Sequence, residues 1–319
     1  MERWPPHLTE ILRGDLVVAF GYRTRAAGVV ATPMVTLGLY DEAAATITMS
    51  TSFGMGKKLT RIEQDDRVAL LFHARDHGTA SARNVVLVQG HARFPDRPDG
   101  TWVTPEVETA WRRMLVPRRR GRLWDWIGHE YYDLRVPISV TMRRVVVWPD
   151  ATVAEVPAVL GAPLPADPPA SQDPPQGGTR ARVPAKRYGK RFQRGMHRLV
   201  GWAGSDGFPM IVPAAMTVAG ANIRIESPAL PDGVRRAGVL AHWFEPRCNG
   251  QGNAVLTGWL EAEGGAGWFR PHTVAGYTMP RLDDVGFSLA AGLGAKAGYR
   301  RMVKAGHVRD GVWQPQRGR

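Results

Sequence analysis

Apolar and polar positions divide the first 150 residues into short extended segments separated by turns. Val, Leu, Ile and Thr dominate these segments, which predicts strands at 16–22, 29–40 and 46–50 and, further on, at 68–73, 84–94 and 138–148. Residues 56–66 break the rhythm, because Leu59 and Ile62 lie three apart, as on one face of a short helix. Further helices are predicted at 6–13 and, around Trp111, Leu115, Trp124 and Trp126, at 105–132. Antiparallel strands with one inserted helix predict a small β-barrel.

A proline-rich segment follows this half of the chain. Eight prolines lie between residues 151 and 184, and proline fixes φ and lacks an amide donor. The segment therefore predicts an extended linker or a surface strap. The predicted organisation is a domain at 1–150, a basic Pro-rich linker at 151–190 and a second domain at 191–319.

The second half repeats part of the first. Strands are predicted at 197–203, 209–218, 222–227, 239–244 and 254–261, and the tail at 285–305 is predicted to be helical. The run from Leu87 to Arg93 aligns with the run from Val255 to Glu261, so that Gly90 matches Gly258. The predicted fold is therefore mainly β, with two tandem barrels of which the second is degenerate.

Composition changes this picture little. The chain of 319 residues has a formal charge of +13, but only six of its 42 basic residues are Lys, and so strong an Arg bias is typical of a GC-rich genome. There is no run of eighteen apolar residues, no signal-peptide core at the N-terminus and only one cysteine, Cys248. These features predict a cytoplasmic protein with no membrane-spanning helix and no internal disulfide.

Residues 48–62 carry the strongest chemical signal. A predicted strand ends in the hydroxyl residues Thr48, Ser50, Thr51 and Ser52, and a turn with two glycines leads to the rare pair Lys57-Lys58 at a helix start. Hydroxyls, backbone amides, a helix N-terminus and two ammonium groups together suit a phosphate monoester. The same pattern is also typical of a polar hairpin with solvated lysines.

This segment and its neighbours resemble the split-barrel flavin-binding family related to pyridoxamine 5′-phosphate oxidase. The resemblance covers most of residues 8–150 and includes the strand at 28–33, the segment from Lys58 to Ile62, the start Asp66-Arg67-Val68 and the strand around Gly90. Arg61 departs from the family pattern, which usually has Asn there. The resemblance implies a split β-barrel that binds FMN, or a deazaflavin, and transfers hydride to or from a small-molecule substrate.

The resemblance also implies roles for individual residues. Lys58 would hold the flavin phosphate with support from Lys57, Thr48, Ser50, Thr51 and Ser52. The backbone of Pro33, Met34 and Val35 would lie along the flavin ring. Arg67 and Gln89 are weaker candidates. The resemblance identifies no catalytic residue.

The second half departs from the family pattern after its third strand. Pro228 and Pro231 precede Arg235 and Arg236, and no Lys pair occurs there. Family members are commonly dimers with the flavin between two barrels. A fused duplication would therefore form an intrachain pseudo-dimer with one competent site, unless the chain itself forms a homodimer.

Three alternatives remain open at this stage. A non-catalytic flavin carrier or a haem protein would use the same barrel, with His73, His129 or His242 near the ligand. A nucleic-acid-binding protein would use the Arg runs at 112–122 and 180–198. A solvated helix face with Trp111, Trp124 and Trp126 in the core explains the first run better, and a solvated arm explains the second, so nucleic acid is not the expected partner. The histidines and Cys248 show no metal-binding spacing, so no metal site is predicted.

Overall fold

The computed structural model describes residues 5–95 and 102–315. Residues 1–4, 96–101 and 316–319 lie outside this part. The six α-helices here are α1 (Pro6–Gly14), α2 (Lys57–Gln64), α3 (Pro105–Met114), α4 (Arg122–Tyr132), α5 (Gly189–Arg194) and α6 (Asp284–Lys304). Within 5–95 and 102–315, no helix combines the length and the apolar character needed to cross a lipid bilayer.

The first sheet contains the strands β1 (Val17–Arg23), β2 (Val29–Val35), β3 (Tyr40–Asp41), β4 (Thr46–Ser52), β5 (Arg67–Phe72), β6 (Val85–Arg93), β7 (Arg135–Trp148) and β8 (Ala158–Gly161). Its order is β2-β1-β5-β6-β7-β4-β3, with β8 added to β7, and every pair is antiparallel. Strand β2 at one edge contacts β4, which lies next to the other edge strand β3, so the sheet curls into a barrel.

The second sheet contains β9 (His197–Ala203), β10 (Pro209–Pro213), β11 (Ala215–Ala219), β12 (Asn222–Glu226), β13 (Gly233–Phe244), β14 (Gln251–Glu263), β15 (Ala266–Ala275) and β16 (Thr278–Met279). A separate hairpin is formed by β17 (Val308–Arg309) and β18 (Val312–Trp313). The order β10-β9-β13-β14-β15-β12-β11 repeats that of the first sheet. The prediction of a mainly β fold with two tandem split barrels is confirmed.

The register confirms the proposed equivalence of the two glycines. In each half the strand pairing shifts by one residue at the glycine, between Gln89 and Gly90 and between Thr257 and Gly258. The second half lacks a counterpart of α2, because residues 227–232 form no helix. Two proline residues in this short connection restrict its backbone, as the sequence indicated.

The two sheets contact each other reciprocally. Strand β2 contacts β13 and β14, and the equivalent β10 contacts β5 and β6. His73 and His242 occupy equivalent positions, because each lies five residues after a matched position, on β5 and on β13. Their Nε2 atoms lie 2.8 Å apart. Contacts between equivalent positions are what a two-fold interface requires, and here both sides belong to one chain.

The proline-rich segment runs between the sheets as a strap. Its residues 158–161 form β8 on the first sheet, and Gln172 and Arg182 donate backbone hydrogen bonds to Val234 and Pro271 of the second. Tyr188 and Phe192 at its end are buried in the core of the second half. Its contacts favour the strap over a free linker.

Three details of the sequence interpretation were wrong. The strand predicted at 29–40 is two strands, β2 and β3, because the chain turns at Leu37 and Gly38, which have positive φ. The strand predicted at 209–218 is two strands, β10 and β11, interrupted at Ala214. Trp126 is not a core residue: 62% of it is exposed, and the Lys296 ammonium lies 3.7 Å from its ring centroid. A cationic stem lying on an aromatic ring shields that ring without burying it.

Replacing Gly90 with Ala is expected to destabilise the fold by about 1–3 kcal/mol, because an added Cβ would lie 2.2 Å from the Thr141 carbonyl oxygen. Gly294 of α6 is the matched control, since nothing lies within 4 Å of a Cβ there and Ala favours helices. Urea unfolding measures both. Equal stability of the Gly90→Ala chain and the wild type would contradict the packing described.

Candidate functional site

The hydroxyl-rich end of β4 and the start of α2 form a buried polar cluster. Strand β4 pairs with β7 from Thr46 to Ser52, and a turn at Phe53–Met55 leads into α2. The turn is held in place by α6, because Gly54 and Gly298 approach so closely that a Cβ on Gly298 would lie 2.8 Å from the Gly54 Cα. Gly298 of α6 therefore allows a close contact between this helix and the turn.

Lys58 is the central residue of this cluster. Only 8% of it is exposed, and its ammonium donates to the Thr51 hydroxyl at 3.3 Å. Within the described residues this is its only hydrogen bond, and no carboxylate pairs with it. Burial and the neighbouring Arg135 guanidinium lower the pKa of Lys58 to about 8.

Arg135 brings a second cation to the cluster. Its guanidinium donates from Nε to the Ser50 hydroxyl at 2.8 Å and from Nη2 to the Ser50 carbonyl at 3.1 Å. It also lies 5.0 Å from the ring centroid of Trp111, and burial lowers its pKa. Arg135 was not among the predicted site residues. Its only signal was a basic residue at the start of β7, and its role follows from the pairing of Ser52 with Arg135.

The structure places the other predicted residues in four groups. Thr48 and Ser52 lie on β4 with the cluster, Ser52 being buried and Thr48 sharing a 3.3 Å hydrogen bond with Ser139. Pro33, Met34 and Val35 lie on β2, an edge strand that faces β4 across the seam of the barrel. Lys57 is exposed and points away from Lys58 into a cleft between the sheets.

Arg67 and Gln89 lie elsewhere and connect the two halves. Arg67 binds the Asp65 carboxylate and, at 3.0 Å, the backbone carbonyl of Asp206. Gln89 is fully buried, donates to the Pro209 carbonyl at 2.7 Å and accepts from Arg144. In the part of the chain that the structure describes, hydrogen bonds of both residues join the first half to the second, and none of their hydrogen bonds involves Lys58.

Both halves contribute to the surroundings of the cluster. Trp111, which stacks with Arg135, belongs to an apolar cluster that also contains Phe244 and Cys248 of the second half. Apolar surroundings of this kind strengthen the electrostatic attraction between the two cations and an anion.

The histidine cluster occupies the centre of the interface. The Nδ1 of His73 lies 3.0 Å from the Leu71 carbonyl and therefore carries its proton, so Nε2 accepts from Nε2–H of His242. The His242 Nδ1 is buried without a partner in the described part of the chain. His197 lies 5.0 Å from the His242 ring, centroid to centroid, and pairs with Asp76. Within residues 5–95 and 102–315, no group of His, Cys, Asp or Glu is arranged to hold a metal ion.

Half of the arginines in the run at 112–122 pair with nearby carboxylates. Arg118 pairs with Asp125 and Asp133, and Arg112 and Arg120 both pair with Glu108. Each of these ion pairs reduces the positive charge that this surface offers to a phosphate backbone.

No family model and no curated protein matches the chain. Among solved structures, it resembles general stress protein 26 from Bacillus anthracis str. Sterne at 15% identity, over 49% of this chain and 99% of that one, with a TM-score of 0.31. A heme binding protein from Mycobacterium smegmatis is 12% identical over 93% and 99%, with a TM-score of 0.31. A pyridoxamine 5′-phosphate oxidase-related, FMN binding protein from Nostoc punctiforme PCC 73102 is 7% identical over 62% and 86%, with a TM-score of 0.29. Likenesses at this level carry no argument, so the fold and function rest on this chain's own strand order and contacts.

Proposed function

We propose that the chain binds one flavin-type cofactor, FMN or a deazaflavin, and acts as an oxidoreductase on a small organic substrate. The observation that carries this proposal is the buried Lys58 with the half-buried Arg135 near it, neither of which pairs with a carboxylate in the described residues. A buried cation beside a second cation is costly unless an anion joins them, and a phosphate dianion provides the matching charge.

The residues divide the work of binding. Lys58 has two ammonium hydrogens without a partner in the described residues, and these would donate to the phosphate. Arg135 already holds Ser50, so it would orient the end of β4 and add positive charge. The edge of β2 at residues 33–35 has backbone groups outside the sheet pairing, and these would meet the flavin ring. When bound, the flavin supplies the hydride chemistry.

The duplicated architecture supports a single site. Only the first half has α2 with its lysines, whereas the equivalent connection at 227–232 has no helix. We therefore expect one cofactor per chain.

Reconstitution tests the proposal. The purified chain is incubated separately with FMN, a deazaflavin phosphate and haemin, then desalted, and its visible absorption spectrum is recorded. We expect one of the two flavins to be retained at one per chain. Retention of haemin alone, which would show as a Soret band, or retention of no ligand would contradict the proposal.

A further inference from the structure

A cavity whose lining does not include Lys58 lies between the two sheets. It has a volume of about 820 Å³ and is bounded by the β1–β2 hairpin, the start of α2 and the strands β13 to β15. We call it the cationic cleft, because its lining includes seven basic side chains: Arg25, Lys57, Arg61, Arg182, Arg236, His272 and His307. No Asp or Glu lines it. Its volume is typical of a small-molecule site.

The permanent charges in the cleft have no acidic partners in the described residues. Arg25 and Arg61 both bind the side-chain amide oxygen of Gln64, at 3.3 and 3.2 Å. Arg236 binds Gln172 in the same way. These neutral acceptors orient the guanidinium groups without neutralising them, so the cleft keeps its positive charge.

The two-fold relation between the halves provides an internal comparison. The equivalent cavity has a volume of only about 280 Å³. Its lining residues Gln89 and Trp202 occupy the positions that Thr257 and Tyr22 occupy in the lining of the cationic cleft. There the Arg144 guanidinium pairs with Asp206, and residues 164–169 of the strap form one wall. One cavity is thus small and internally neutralised, and the other is large and positively charged.

We propose that the cationic cleft is a binding site for a small organic polyanion with at least three negative charges, such as a triphosphate ester. A single phosphate dianion would leave most of the five Lys and Arg charges unbalanced, whereas a triphosphate matches them more closely. Arg61, the residue that departs from the flavin-binding pattern, gains a role here. The proposal is independent of the flavin site, because Lys57 and Lys58 point in different directions.

Titration calorimetry with sodium tripolyphosphate and with orthophosphate tests the proposal on the full chain, in the presence of saturating FMN where FMN binds. We expect one tripolyphosphate per chain, bound at least about tenfold more tightly than orthophosphate. The double variant Arg25→Ala/Arg61→Ala is expected to weaken tripolyphosphate binding at least about tenfold. The control is Arg122→Ala/Arg300→Ala, which removes two exposed arginines that do not line the cleft and is expected to change the affinity less than about threefold.

Three outcomes would overturn the proposal. The two double variants could weaken binding equally, which would indicate a general charge effect. Several tripolyphosphate molecules could bind per chain, which would indicate binding at no defined site. Binding could also be lost in Lys58→Met but kept in Arg25→Ala/Arg61→Ala, which would place tripolyphosphate at the flavin site. Circular dichroism and thermal unfolding of each variant establish that a loss of binding is not a loss of fold. Failure of FMN to bind would count against the flavin site alone, since the cleft is then measured without it.

Discussion

Replacing Lys58 with Met is expected to weaken FMN binding by about 10- to 100-fold while making the chain without cofactor more stable. The loss of binding follows because charge-assisted hydrogen bonds to the phosphate disappear. The gain in stability follows because Met keeps the length of the side chain but removes a buried cation. Burial lowers the pKa of Lys58 to about 8. Below pH 8 the folded chain therefore holds a buried ammonium at a free-energy cost that the unfolded chain does not bear. The expected gain in unfolding free energy is about 1–3 kcal/mol at neutral pH.

This combination separates a binding residue from a structural one. Ligand-binding groups are commonly kept at a cost in stability, whereas a structural lysine would destabilise the fold when replaced. Fluorescence quenching of FMN and urea unfolding give the two values. The control is Lys186→Met, at an exposed position in the strap, where both values should stay near those of the wild type. A Lys58→Met chain that binds FMN normally, or that unfolds more easily, would contradict the assignment.

Acidification is expected to destabilise the chain steeply between about pH 6.5 and 4. Burial lowers the pKa of His73 to about 3, and it also lowers the pKa values of His197 and His242. Each imidazole is therefore neutral in the folded chain but takes up a proton near pH 6.5 when unfolded, so its contribution is full above pH 6.5 and is lost below it. Burial raises the pKa of Asp15 to about 7, which offsets about one of these three protons. The net loss is at most about 3 kcal/mol per pH unit, large compared with a usual stability of about 5–15 kcal/mol.

Urea unfolding at pH 7.5, 6.0 and 5.0 measures this slope. The variant His73→Gln should reduce it by about one proton, because one buried imidazole is gone. His129→Gln is the control, since His129 is exposed and pairs with Asp133 on the surface. If His73→Gln and the wild type lose stability in parallel, the histidine cluster is not the cause.

Strand periodicity predicted most of the fold because each half buries its apolar strands by local alternation. The glycine alignment also predicted the duplication, since Gly90 and Gly258 occupy the same bulge of each sheet. The failure at Trp126 has a physical reason: helical spacing does not reveal that the ring stays largely exposed, with only the ammonium of Lys296, 170 residues later, lying over it.

The candidate site was only partly accessible from sequence. Adjacent lysines are one residue apart on a helix, so the pattern placed Lys57 and Lys58 together, whereas the helix directs one into the polar cluster and the other into the cationic cleft. Arg135 was missed because its contact with Ser50 spans 85 residues and depends on the register of β4 with β7. Gln89 and Arg67 gained their partners from the second half, through contacts that no local pattern encodes.

The central claim is that Lys58 and Arg135 hold a phosphate, and a comparison of FMN with riboflavin tests it most directly, because the two ligands differ only in that group. Affinities of both are measured by fluorescence quenching for the wild type and for Lys58→Met. We expect the wild type to bind one FMN per chain and to prefer it over riboflavin by at least about 100-fold, and we expect most of this preference to vanish in Lys58→Met. Equal affinity of the wild type for both ligands, or an unchanged preference in Lys58→Met, would contradict the claim.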